Sequence, residues 1–109
     1  MDETSLRHVS RRLLGNKHKL EVVVAIANVL DDGLQDFYPR LISQKVPAAA
    51  DNQVNDVIKQ LEAGGLLLRV EDKADQLRNR YRARESSYWS LCQVLLEELR
   101  GASWEPDES

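Results

Sequence analysis

The chain has 109 residues, 42% of them hydrophobic, a single cysteine and a formal charge of -3. That length suits one core formed without disulfide staples, and one cysteine excludes both an intrachain disulfide and a cysteine-rich zinc site. No apolar run approaches the ~20 residues that span a bilayer, and Met1 to Ser5 is acidic and polar, so a cytoplasmic protein with no membrane association is expected. The negative charge argues against a nonspecific nucleic-acid coat, which would be strongly basic. Its distribution matters more: Asp2, Glu3, Glu97, Glu98, Glu105, Asp107 and Glu108 collect at the ends, while arginines crowd between Arg78 and Arg84 and leave one basic patch.

Thr4 or Ser5 can cap a first helix with Leu6, Val9 and Leu13 on one face, and Gly15 closes it. Asn16 caps a second helix in which Leu20, Val23, Val24, Ala27 and Leu30 follow helical spacing. Val22, Ile26 and Val29 make this helix apolar nearly all round, as a central buried helix requires. The valine triplet favours a strand by propensity, but the run is too long for a buried strand, and its start and stop signals are helical. Asp31-Asp32-Gly33 ends it. Leu34 can contribute a very short strand before Asp36 caps a third helix to about Gln44, with Pro39 harmless in the first turn. Val46-Pro47 ends that helix, because the residue before a proline is pushed out of helical space. After a turn through Ala48 to Ala50, Asp51 caps a fourth helix from Asn52 to Ala63; Val54, Val57 or Ile58, and Leu61 face a core, and Gly64-Gly65 stops it. Leu66 to Val70 and Arg80 to Arg84 read as the strands of a hairpin. Ser86 or Ser87 caps a final helix with Tyr88, Cys92, Leu95, Leu96 and Leu99 on one face; Gly101 ends it, and residues 102–109 read as a flexible acidic tail.

This order predicts a mainly α chain with a small β-hairpin. It is the order of a winged helix-turn-helix domain over residues 1–101, with a three-helix core, a wing and a C-terminal helix. The segment Val54 to Leu67 resembles the recognition helix and following strand of bacterial regulators of the ArsR type and, second, the MarR type. In those families an apolar residue recurs at the places held here by Val54, Ile58 and Leu61, and a glycine at the place of Gly65 begins the first wing strand. Leu13 to Val23 also resembles the ArsR-type second helix, which opens with a basic residue and continues into a Leu/Ile/Val run. The similarity spans about residues 6–100. It implies a transcriptional regulator that binds double-stranded DNA in a sequence-specific way, as a homodimer.

Within that geometry Asn52, Gln53 and Asn55 are placed to read bases, Asp56 to accept from a cytosine amino group and Lys59 to touch phosphate. Side chains alternate along a strand, so Arg78, Arg80, Arg82 and Arg84 would share one face; with Lys73 near the tip they would meet the DNA backbone or minor groove. The alternative for that row is surface ion pairing with Glu71, Asp72, Asp75 or Glu85. The final helix also carries Trp89, Leu91 and Val94 off its main face, more apolar surface than one core easily covers. The resemblance implies that a second copy covers it, with Leu6, Val9, Leu13, Trp89, Leu95, Leu96 and Leu99 as the dimer interface. The alternative is that Trp89 and Leu91 lie under the wing of their own chain.

His8, His18 and Cys92 are the only soft metal-ligand candidates, and none has a paired spacing, so neither a metal site nor a cofactor is expected. His18 reads as a surface residue and Cys92 as a small core residue, with a thiol redox switch as its lesser alternative. No glycine-rich phosphate loop, nucleophile elbow or catalytic carboxylate pair appears, so no enzyme and no catalytic residue are expected. The competing expectation, motivated by the acidic charge, is a winged-helix module that binds a protein partner in place of DNA.

Overall fold

The computed structural model describes residues 3–70 and 79–101; Lys73, Arg78 and the tail 102–109 lie outside the described residues. The described elements run α1 (Glu3–Leu14), α2 (Lys19–Asp31), β1 (Asp36–Phe37), α3 (Pro39–Lys45), α4 (Asp51–Ala63), β2 (Leu67–Val70), β3 (Arg80–Ala83) and α5 (Ser87–Arg100). The chain is mainly helical, with a small antiparallel sheet in the order β1-β3-β2.

The centre of the core is α2, whose Leu20, Val22, Val23, Val24, Ala25, Ile26, Ala27 and Val29 are all buried. Valine is a modest helix former, yet α1, α3, α4 and α5 all pack against this helix, and tertiary burial overrides propensity. Each buried aliphatic side chain contributes about 1.5–3 kcal/mol relative to exposure. The helix stops in a left-handed turn at Gly33 (φ 92°), where the Gly33 N–H donates to the Leu30 carbonyl at 3.0 Å and the Leu34 N–H to the Val29 carbonyl at 3.2 Å. The same device ends α4 at Gly65 (φ 82°), with bonds to Glu62 at 3.0 Å and from Leu66 to Leu61 at 2.9 Å. A Cβ is disfavoured in this backbone region, so glycine there sends the chain sharply from α2 towards β1 and from α4 into β2.

The junction of α1 and α2 is built around a buried serine. The Ser10 hydroxyl donates to the Asn16 carbonyl at 2.7 Å and accepts from the Leu20 N–H at 3.2 Å. Asn16 caps the turn ahead of α2 through its Oδ1, which accepts from the His18 N–H at 2.8 Å. His18 is not a surface residue, as its polarity suggested: it is 3% exposed because this turn folds it beneath α1. Its Nδ1 lies 3.6 Å from Glu21 Oε1, an oxygen that also receives the Arg7 Nε–H at 2.9 Å.

Four helix starts differ from expectation. Thr4 and Ser5 lie within α1, which is described from Glu3, and the cap position of α2 is His18, not Asn16. Asp36 does not cap α3; it pairs across strands with Arg82 in β1, and α3 begins at Pro39 after the extended Tyr38. Asp51 is the first residue of α4, not its cap. The cap position is Ala50, whose N–H donates to Gln53 Oε1 at 2.9 Å. By contrast, Ser86 caps α5, its Oγ accepting from the Tyr88 N–H at 3.1 Å.

The expected dimer interface needs correction, since most of it is the core of a single chain. Leu6, Val9, Trp89, Leu96 and Leu99 are all buried, because α1 and α5 both lie against α2 and turn these residues towards it. The Trp89 indole N–H also donates to the Arg84 carbonyl at 2.8 Å, tying the start of α5 to the end of β3. Leu95 is half-buried against the core. Of the named residues Leu13 remains outside, 56% exposed, and the exposed apolar positions of α5 are Leu91 and Val94.

Candidate nucleic-acid interface

Helical periodicity divides α4 into two faces. Val54, Val57, Ile58 and Leu61 enter the core, which leaves Asp51, Asn52, Asn55, Asp56 and Lys59 exposed on the other side. Four of the five predicted α4 contacts, Asn52, Asn55, Asp56 and Lys59, therefore stand clear of the body together. Gln53 does not join them: it is half-buried, and its side-chain oxygen is committed to the Ala50 N–H. The helix needs an acceptor there because its first N–H groups have no intrahelical partner.

Packing of α3 against α4 adds residues that the sequence reading missed. A groove of about 440 Å³ between these helices is lined by Arg40, Ser43 and Gln44 of α3 and by Asp51 and Asn55 of α4. An adjoining cleft of about 380 Å³ shares Arg40 and Gln44 and reaches Tyr38 and Asn79. Arg40 thus stands between the polar face of α4 and the beginning of β3. The available signal was the i, i+4 spacing of Arg40 and Gln44 just after Pro39, which puts both on one face of a short helix. The surface carries mixed charge, with Arg40 and Lys59 set against Asp51 and Asp56.

The arginine row alternates as a strand requires, Tyr81 facing in while Arg82 faces out. Its partner was not foreseen. Arg82 donates through Nε to Asp36 Oδ1 at 2.8 Å and through Nη2 to Oδ2 at 3.3 Å, and Arg80 Nε lies 3.7 Å from Asp36 Oδ2. Hydrogen bonding from Arg82 holds the Asp36 carboxyl below its ordinary range despite the opposing effect of desolvation, and the Arg82 and Arg80 charges add to the lowering. One carboxylate therefore serves two guanidinium groups, and it comes from β1, 46 residues from Arg82, not from the hairpin. Arg82 and Arg84 line a third cleft beside Trp89 of α5, which shares no residue with the α3–α4 groove.

Cys92 is buried, and desolvation pushes its thiol above the ordinary range, outweighing the lowering from a Tyr88 hydrogen bond and from Lys19. That environment disfavours the thiolate a redox switch would use. Among the described residues no group of three or more His, Cys, Asp and Glu side chains is arranged to hold a metal ion, and no helix is long and apolar enough to cross a membrane. Neither a family model, nor a curated protein, nor a solved structure matches the chain.

Proposed function

We propose that the chain is a winged helix-turn-helix regulator that binds double-stranded DNA in a sequence-specific way, with α4 entering the major groove. In this reading α2, α3 and α4 are the three-helix core, β2 and β3 the wing, and β1 the third strand of the small sheet. The observation that supports it is the outer face of α4: Asn52, Asn55, Asp56 and Lys59 stand clear of the core beside the Arg40 groove. Asn reads adenine through paired hydrogen bonds and Asp accepts from a cytosine amino group, so the first turns of α4 carry the base contacts. Arg40 and Lys59 meet phosphates, and Gln53 holds the start of the helix. The exposed Leu13, Leu91 and Val94 supply apolar surface for a second copy, and the protein works in the cytoplasm.

Selection of bound duplexes from a random pool tests this directly, the expected product being a two-fold symmetric consensus. Asn55→Ala should then relax preference at one base pair by about 1–3 kcal/mol. Arg40→Ala should weaken binding to all sequences alike and flatten the slope of log affinity against log salt by about 0.9. A pool that shows no enrichment at low salt overturns the proposal.

A second reading, a winged-helix module that docks on a protein, is favoured by one specific arrangement. Asp51 and Asp56 occupy the outer face of α4 while Arg82 is neutralised by Asp36, so the surface offers little net positive charge. It predicts no retardation of any duplex at low salt.

A further inference from the structure

We propose that the cleft between the end of α2, the end of β3 and the start of α5 binds a small amphipathic carboxylate. The cleft measures about 540 Å³. Small-molecule sites commonly occupy about 300–1,000 Å³ and combine apolar walls with a few placed polar groups. Here Ala27, Leu30, Leu34 and Trp89 supply apolar wall. Leu34 is 45% exposed, so an apolar occupant would remove surface from water that the chain itself leaves uncovered.

The walls are held before any ligand arrives. The indole of Trp89 is fixed by its 2.8 Å bond to the Arg84 carbonyl. Gln93 of α5 ties the helices together, its amide donating to Asn28 Oδ1 at 3.0 Å and to Asp31 Oδ2 at 2.8 Å. That second bond also satisfies the acidic residue on the α2 side of the cleft.

The opposite side is cationic. Arg82 and Arg84 are two apart along the extended chain, so their side chains leave the same face, and both line the cleft. Arg82 spends its Nε and Nη2 donors on Asp36, a residue that is not part of the lining, which leaves Arg84 to meet a ligand. Arg84 has no ionic partner among the described residues. Of the two lining carboxylates, Asp31 is already engaged by Gln93, and Glu85 adjoins Arg84. A ligand with a hydrocarbon body on Trp89, Leu30 and Leu34 and a carboxylate at Arg84 satisfies both sides, since guanidinium pairs with carboxylate in a fork geometry. Arg84 thus acquires a use apart from α4, and the inference does not depend on the duplex reading.

The test uses octanoate, with octanol and octylamine as neutral and cationic matches, and reads the indole N–H signal of Trp89 in the full chain. Trp104→Phe leaves Trp89 as the only indole, since the sequence holds two tryptophans. Octanoate should shift that signal saturably and bind at least about tenfold more tightly than octanol, the value of one charge-assisted hydrogen bond, with octylamine weaker still. Arg84→Gln should abolish the advantage of octanoate over octanol and leave octanol binding unchanged. Ser90→Phe, which fills the cleft from an exposed helix position, should remove the shift for both. Absence of a saturable shift with octanoate, equal binding of octanoate and octanol, or an unchanged preference in Arg84→Gln each overturns the proposal.

Discussion

Replacing Ser10 by alanine isolates one of the bonds that fasten α1 to the rest of the chain. Ser10 is 1% exposed, and its hydroxyl serves two backbone groups at once, as donor to Asn16 O at 2.7 Å and acceptor from Leu20 N at 3.2 Å. Leu20 N–H lies in the first turn of α2, where no intrahelical acceptor exists, and the Leu20 side chain is itself fully buried. Deleting the hydroxyl strands the Leu20 donor away from water, while the Asn16 carbonyl keeps the Lys19 N–H at 3.2 Å. An unsatisfied buried polar group costs about 1–3 kcal/mol, and Asn16 is also half exposed to solvent, so a loss of about 1–3 kcal/mol is expected. In a domain of this size that lowers Tm by roughly 4–20 °C. Urea unfolding followed by circular dichroism measures it, with the exposed neighbour Arg11→Ala expected to change stability by less than about 0.5 kcal/mol. A Ser10→Ala variant as stable as Arg11→Ala would refute the role given to this hydroxyl.

Acidification should destabilise the protein through His18. Desolvation lowers its pKa below the ordinary 6.5, Arg7 and Lys17 lower it further, and Glu21 only partly offsets them. The unfolded chain therefore binds the proton first. The stability present above about pH 6.5 is lost as the pH falls from there towards the depressed folded value, and His18→Leu should flatten this part of a stability-against-pH curve. An equally steep curve in that variant would remove His18 from the account. Gln53→Ala separates capping from base reading: it should cost about 0.5–2 kcal/mol in urea unfolding, as loss of an N-terminal cap does, while leaving base preference in the selected duplex unaltered. A changed preference without a stability loss would return Gln53 to the base-reading set.

The helices and the hairpin were legible in the sequence because their signals are local. Gly33 and Gly65 mark turns with positive φ, Pro39 and Pro47 bracket α3, and the apolar spacing of α4 separates its buried from its exposed face. Most of the misreadings have a different cause, a partner far along the chain; the start of α4, where Gln53 serves the Ala50 N–H three residues back, is a local exception. Asp36 looked like a helix cap because Asp often is one, whereas its strand exists only through pairing with Arg82. The arginine alternation was visible, but not the carboxylate that two of them share. Trp89 looked surplus to one core, and the resemblance put Leu6 and Leu99 in a dimer interface, because the sequence does not reveal that α2 offers apolar surface on every side to α1 and α5. His18 carried no local mark of burial; the buried Ser10 bond closes the turn that covers it. For the candidate interface, Asn52, Asn55, Asp56 and Lys59 followed from helical period alone, while Arg40 and Gln44 joined them only through the packing of α3 on α4.

The most direct test of α4 as a DNA-reading helix is a residue-resolved map of duplex binding, from backbone amide signals of the full chain titrated with the best selected duplex. Shifts should concentrate on residues 51–59 and on Arg40, Ser43 and Gln44, with Leu30, Trp89 and Gln93 unmoved. Shifts centred on α5 and the Trp89 cleft, or none at a duplex concentration that saturates binding, would contradict it.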